Sequence, residues 1–194
     1  MKVFDFDNTI YDGESFVDFF CFCVRKKKSL IFKIPTVLYV AILYKMNKLS
    51  IDDLYIKASK LTKVITNNKA DIDEYVNMFW QKNKKKLKQN MLDKIREEDI
   101  IITASPDILI KGIASKLKTK NIISSILNVD TGKFEFICFR ENKVTIFKEK
   151  YPNAIIDEFY TDSLADLPLM KLAKKAYLVS KDKMELVDVS KLSN

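Results

Sequence analysis

At 194 residues and 47% hydrophobic content, the chain can bury a real core as one domain, or as one domain carrying a sizeable insertion. It has no histidine, which excludes Ser-His-Asp and Cys-His hydrolysis and histidine-ligated metals, and its three glycines leave no Walker P-loop or dinucleotide fingerprint. The net charge of +8 suits an anionic substrate, a nucleic acid or an anionic membrane without choosing among them, so any catalysis must run on carboxylates, hydroxyls and lysines.

The chain opens on a short apolar strand that ends in Asp5-x-Asp7-x-Thr9, with no signal-peptide pattern before it. Alternate strand residues share a face, so Asp5 and Asp7 leave the strand end together and need compensation, as by a divalent cation. A plain acidic turn, with Asn8 and Thr9 as turn residues, fits the same string. Ser15 then reads as a helix N-cap with Asp18 in the capping-box position. Phe16, Phe19, Phe20, Cys23 and Val24 form one helical face, closed by the basic run Arg25 to Lys28.

Residues 29–44 are the most apolar stretch. It is too short for a spanning helix and is interrupted by Lys33 and Pro35. It reads as a buried helix kinked at Pro35, or as a segment lying in a membrane interface between basic flanks, with Lys45 and Lys48 on the far side. Ser50-Ile-Asp-Asp53 and Asp71-Ile-Asp-Glu74 start two further helices, with Ile51, Leu54, Tyr55, Ala58 and Leu61 on the face of the first. The basic run 81–88 reads as a solvated face that could also attract a membrane or substrate. Residues 13–95 thus form an all-helical unit. Cys21, Cys23 and Cys138 read as reduced packing thiols of a cytoplasmic protein.

From Asp99 the pattern changes. Ile100-Ile101-Ile102 is a buried strand ending in Thr103-Ala-Ser105-Pro106, followed by a helix over 107–118. Strand 122–127, a turn at 130–133 and the alternating Phe134 to Cys138 come next. A helix over 143–150, a strand ending at Thr161-Asp162, a helix around Pro168 and a last strand over 176–179 complete the chain. Alternating strands and helices predict a parallel α/β sheet, interrupted after its first strand by the helical insertion. Ligands sit at the carboxyl ends of such strands. Asp5, Asp7 and Thr9, then Thr103 and Ser105, then Asp162 and Asp166 fall there, with Lys143 at the start of a helix between them. Each alone has an ordinary reading as a cap, a turn or a surface lysine.

In this order the positions resemble the haloacid dehalogenase-like superfamily of aspartate-nucleophile phosphohydrolases. Asp5-Phe-Asp7-Asn-Thr9 stands as first motif, Thr103-Ala-Ser105 as second, Lys143 as third and Asp162-Ser-Leu-Ala-Asp166 as fourth. The insertion matches the cap of the phosphoserine-phosphatase-like branch. The resemblance implies an α/β fold, with a Rossmann-like five-stranded parallel core over 1–12 and 96–194, an all-helical cap over 13–95, and a hairpin near 127–138.

It also implies roles. Asp5 would be the nucleophile, Asp7 the acid and base, Thr103 a hydrogen-bond donor to a phosphoryl oxygen and Lys143 a charge partner. Mg2+ would be held by Asp5, the Asp7 carbonyl and Asp162, supported by Asp166. Thr9, Glu14 and Ser105 are the expected substrate-binding residues, although Glu14 also suits the first turn of a helix. Thr103-Ala-Ser-Pro106 departs from the Ser-Gly-Gly type of phosphoserine phosphatase. The cap looks instead like that of phosphatidylglycerophosphatase-type members. The expected substrate is therefore a phosphorylated small molecule or a lipid phosphomonoester, reached in the cytoplasm or at the inner membrane face through 29–48, with no nucleic acid as partner. The rival readings are an inactive relative serving as a membrane or protein interaction module, and a receiver-type signalling domain, which would lack the large cap.

Overall fold

Ile100, Ile101 and Ile102 have no polar face to show to water, and all three are fully buried at the centre of a sheet covered on both sides. The computed structural model describes residues 1–26, 32, 34–46, 48, 50, 53, 56–57, 59–60, 62–63, 69–181 and 183–192. Among these, the strands are β1 (Lys2–Phe4), β2 (Ile100–Pro106), β3 (Asn121–Asn128), β4 (Lys133–Phe136), β5 (Ile156–Thr161), β6 (Ala173–Ser180) and β7 (Lys183–Val187). They form one sheet in the order β4-β3-β2-β1-β5-β6-β7. The five from β3 to β6 run parallel, as expected, and β4 and β7 close the two edges antiparallel.

The helices are α1 (Ser15–Lys26), α2 (Ile34–Lys45), α3 (Lys69–Asn83), α4 (Gln89–Leu92), α5 (Asp107–Lys111), α6 (Glu141–Lys150) and α7 (Leu167–Met170). The period of two along the strands divides the core into two layers. Phe4, Ile101 and Tyr160 face the layer that holds Phe19 and Phe20 of α1 and Phe79 and Trp80 of α3. Val3, Ile102 and Phe159 face the other, with Phe147 of α6 and Met170 of α7. On the first side Trp80 Nε1 donates to the Leu109 carbonyl at 2.7 Å, fastening α3 to α5. Gly112 permits that approach, because a Cβ there would collide with Val76 and Trp80.

Several local expectations are corrected. Within the described residues α2 runs Ile34–Lys45, which puts Pro35 in its first turn, where a missing N–H costs nothing. The Ser15–Asp18 capping box does not form. The Asp18 N–H donates to the Glu14 carbonyl, and the Asp18 side chain accepts from Tyr11 Oη and Lys86 Nζ, each at 2.7 Å. The helix expected over 107–118 ends at Lys111, before Gly112, and one 3-10 turn follows at Ala114–Lys116. Lys69 and Ala70 are already helical, so Asp71 lies inside α3 and is not its N-cap. β7 was not anticipated, since it is an edge strand with little burial to write a pattern into its sequence.

Ser50 does act as an N-cap: its Oγ accepts from the Asp53 N–H at 3.1 Å and donates to Asp53 Oδ2 at 2.8 Å. Ile51, Leu54, Tyr55, Ala58 and Leu61 of the face read there lie outside the described residues. Among the described residues no helix is long and apolar enough to cross a membrane. Cys21, Cys23 and Cys138 are free thiols.

Candidate active site

β1 ends at Phe4, and the turn after it carries Asp5 and Asp7 past the carboxyl edge of the sheet. The Asp5 N–H still donates to the Tyr160 carbonyl at 2.8 Å, so this residue is held in the sheet's frame. Asn8 takes the left-handed conformation (φ 55°) that a short polar side chain tolerates. Its side chain donates to Glu14 Oε1 at 2.7 Å, and Lys88 Nζ donates to its carbonyl at 2.5 Å. These bonds fold the turn back so that α1 begins directly above the strand ends.

Two carboxylate systems result. In the first, Lys143 Nζ in the first turn of α6 donates to Asp5 Oδ1 and to Asp166 Oδ2, both at 2.8 Å, with all three side chains buried. Thr161 Oγ1, at the end of β5, also donates to Asp166 Oδ2 at 2.8 Å. Burial opposes the Lys143 ammonium, but Asp166 and Asp5 outweigh it and raise its pKa, so it stays charged. Burial raises the Asp5 carboxyl well above the ordinary range. Lys143 pulls it down, and Asp166 and Asp162 push it up again.

In the second system, Asp7 Oδ2 accepts from Ser105 Oγ and Oδ1 from the Ser15 N–H, each at 2.7 Å. Asp7 thus takes the acceptor position at the N-terminus of α1, where a helix favours negative charge. Ser15 and Ser105 hydroxyls meet at 2.8 Å behind it. Burial, then the charge of Glu14, pushes the Asp7 carboxyl up to about 7, while the bonds from Ser15 and Ser105 hold it down.

A cavity of about 160 Å³ opens between the two systems, lined by Asp5, Asp7, Glu14, Lys143, Asp162 and Asp166, with Ala104, Phe139, Ser163 and Ala165 at its wall. Every acid expected at the site therefore converges on one space, and Lys143 joins them. Thr9, Thr103 and Ser105 are brought to the same strand ends but sit behind that lining. Thr9 is fully buried, with no hydrogen-bond partner for its hydroxyl among the described residues. Thr103 Oγ1 accepts from the Ser105 N–H at 3.1 Å.

Sequence reasoning gave Ser15 and Thr161 no part in the site. In the sequence Ser15 reads as the cap of its own helix and Thr161 as the last residue of a strand, directly before Asp162. Its place at a strand end beside that acid was the one signal that could have flagged it.

The donors that face the cavity are mostly hard oxygens, and of its five acids Asp5 and Asp166 share the buried ammonium of Lys143. That surplus of negative charge fits a hard divalent cation. Among the described residues no three acids encircle an ion.

A family model described as haloacid dehalogenase-like hydrolase matches residues 3–171. No curated protein matches the sequence. Among solved structures, the chain is similar to a protein of unknown function from Bordetella pertussis Tohama I, with TM-score 0.74 and 17% identity over 91% of this chain and 87% of that one. A phosphoserine phosphohydrolase-like protein from Francisella tularensis subsp. tularensis SCHU S4 is similar with TM-score 0.55 and 20% identity, over 91% of this chain and 86% of that one. A phosphoserine phosphatase solved as a phospho-aspartyl intermediate analogue has TM-score 0.56 and 16% identity, over 90% and 83%.

Proposed function

The chain belongs to the haloacid dehalogenase-like hydrolase family, and from that premise we propose that it hydrolyses phosphomonoesters through an aspartyl-phosphate on Asp5. The observation that carries the reading is the pairing of two unlike carboxyls across one cavity. Asp5 is bonded to a buried ammonium, and Asp7 is tuned to about 7 by burial and by hydroxyl and amide donors.

Asp5 attacks phosphorus as the bond to the leaving oxygen breaks, and Asp7 gives that oxygen its proton. Water then attacks the phosphorus of the acyl phosphate, Asp7 takes the water's proton, and phosphate leaves with Asp5 restored. Lys143 offsets charge on the nucleophile and on the transferring group. Thr103 is the proposed donor to a phosphoryl oxygen, acting from behind the cavity lining, where its own oxygen accepts from the Ser105 N–H. Asp5, the Asp7 carbonyl and Asp162 would hold Mg2+, with Asp166 in support. When bound, the ion supplies positive charge that favours ionised Asp5 and binds phosphoryl oxygens. Glu14, steadied by Asn8, stands at the cavity rim for the leaving group. Thr9 and Ser105 shape the floor.

Residues 13–95 serve as the cap over a core of 1–12 and 96–194. Its α2 supports a lipid phosphomonoester as substrate. Leu38, Tyr39 and Ile42 are 46, 58 and 55% exposed, and Lys26 and Lys48 are exposed on either side in sequence. Such a face suits an anionic membrane surface on the cytoplasmic side.

Hydrolysis of an aryl phosphate by the protein and by Asp5→Asn, with and without Mg2+, tests the chemistry. Equal rates for the two proteins end the nucleophile assignment. Flotation with anionic liposomes tests the lipid reading, which a protein that stays in the soluble fraction at low salt would sink.

A further inference from the structure

A second, larger cavity, of about 830 Å³, adjoins the first and shares Ser163 and Ala165 with it. It lies between α6 and α7. Val144, Leu164 and Leu172 give it apolar wall, and Arg140, Lys148 and Lys171 give it positive charge against the single acid Glu141. Arg140 directly precedes α6, three residues before Lys143. It holds φ 48° and ψ −122°, a conformation that glycine adopts freely and other residues only with strain.

Its guanidinium rests over the ring of Phe139 at 4.9 Å, and Phe139 lines the first cavity. Nε and Nη2 are buried with no hydrogen-bond partner among the described residues. Those two nitrogens form one edge of the guanidinium, the fork that grips the paired oxygens of a carboxylate or phosphate. Arg140 is partly exposed as a residue, but leaving that buried edge of its guanidinium unused is costly, and a turn about its side-chain torsions would carry the fork from Phe139 into the cavity it already lines.

We propose that Arg140 binds a second anionic group, carboxylate or phosphate, on the leaving side of the substrate, with Lys148 and Lys171 supplying the surrounding field. The substrate class is then a phosphomonoester whose leaving group carries its own negative charge beside an apolar portion. The proposal rests on the phosphatase reading for its substrate. Its binding site stands on Arg140 alone.

The test compares wild type with Arg140→Gln on phenyl phosphate, carboxyphenyl phosphate and phenylene bisphosphate. The variant is expected to keep phenyl phosphate turnover within about twofold and to lose roughly 10- to 100-fold in kcat/KM on one or both doubly anionic substrates, mainly through KM, as removing a charged hydrogen bond does. Which of the two loses more identifies the group. Equal losses on all three substrates, or no loss on any, overturn the proposal.

Calorimetric binding of benzylphosphonate and carboxybenzylphosphonate separates this from the phosphatase reading. If no phosphate ester is hydrolysed but carboxybenzylphosphonate still binds more tightly only when Arg140 is present, the anion site survives and the phosphatase reading falls. If both phosphonates bind alike to both proteins, the site falls.

Discussion

Ser105 donates its hydroxyl to Asp7 across 98 residues of sequence, at 2.7 Å, and so joins the end of β2 to the turn after β1. This bond acts on the protonation of the carboxyl proposed to give and take a proton. Burial and the charge of Glu14 raise Asp7 to about 7, and the Ser105 bond favours its ionised form. Removing the bond therefore raises the pKa further. In metal-free Ser105→Ala, NMR titration of the Asp7 carboxyl should show a midpoint above the wild-type one. An unchanged or lowered midpoint would refute the coupling.

The same raised pKa sets a pH dependence of stability. Between the unfolded value near 4 and about 7, the folded state binds a proton at Asp7 that the unfolded chain has released. Stability from this group is therefore full below about 4 and declines as pH rises through 7. In metal-free protein, Asp7→Asn should flatten the fall in Tm across that window, as read by calorimetry at several pH values.

Lys143 is the ammonium that Asp5 and Asp166 share, and its side chain is 3% exposed. Deleting it leaves two buried acids without their cation. Lys143→Ala should cost about 3–5 kcal/mol in denaturant unfolding of the metal-free protein, the usual penalty for breaking a buried pair by removing one partner. A loss below about 1 kcal/mol would mean that water reaches these acids freely.

Thr161→Val tests the support behind Asp166. It keeps the shape of the side chain and removes one donor to a buried carboxylate, so a loss of roughly 1.5–3 kcal/mol is expected. Hydrolysis should weaken with it, because Asp166 loses the group that orients it. Full activity with lowered stability would confine Thr161 to the fold.

Gly112→Ala addresses the docking of α3 on α5. The added methyl would strike Val76 and Trp80 behind the hydrogen bond from Trp80 to Leu109. Overpacking of that kind costs about 1–3 kcal/mol. Thermal unfolding and the fluorescence of Trp80, the single tryptophan, report on it together.

The sequence by itself determined the layered α/β plan and the set of acids. An isoleucine triplet has nowhere to sit but the middle of a covered sheet, and strands alternating with helices leave only the parallel arrangement. Acids placed at the ends of such strands must then meet, whatever the details of the connections. Edge strand β7 and the true caps of α1 were not legible, because half-exposed segments and reciprocal caps depend on what packs beside them. Tertiary structure alone decided that Ser15 and Ser105 both serve Asp7, that one ammonium is divided between Asp5 and Asp166, and that the buried edge of Arg140 lies unused beside the cavity of these acids. Residues far apart along the chain have no shared periodicity to betray them. Only the assembled sheet, by fixing which strand ends are neighbours, turns a run of separate acids, hydroxyls and one lysine into two carboxyls in unlike surroundings.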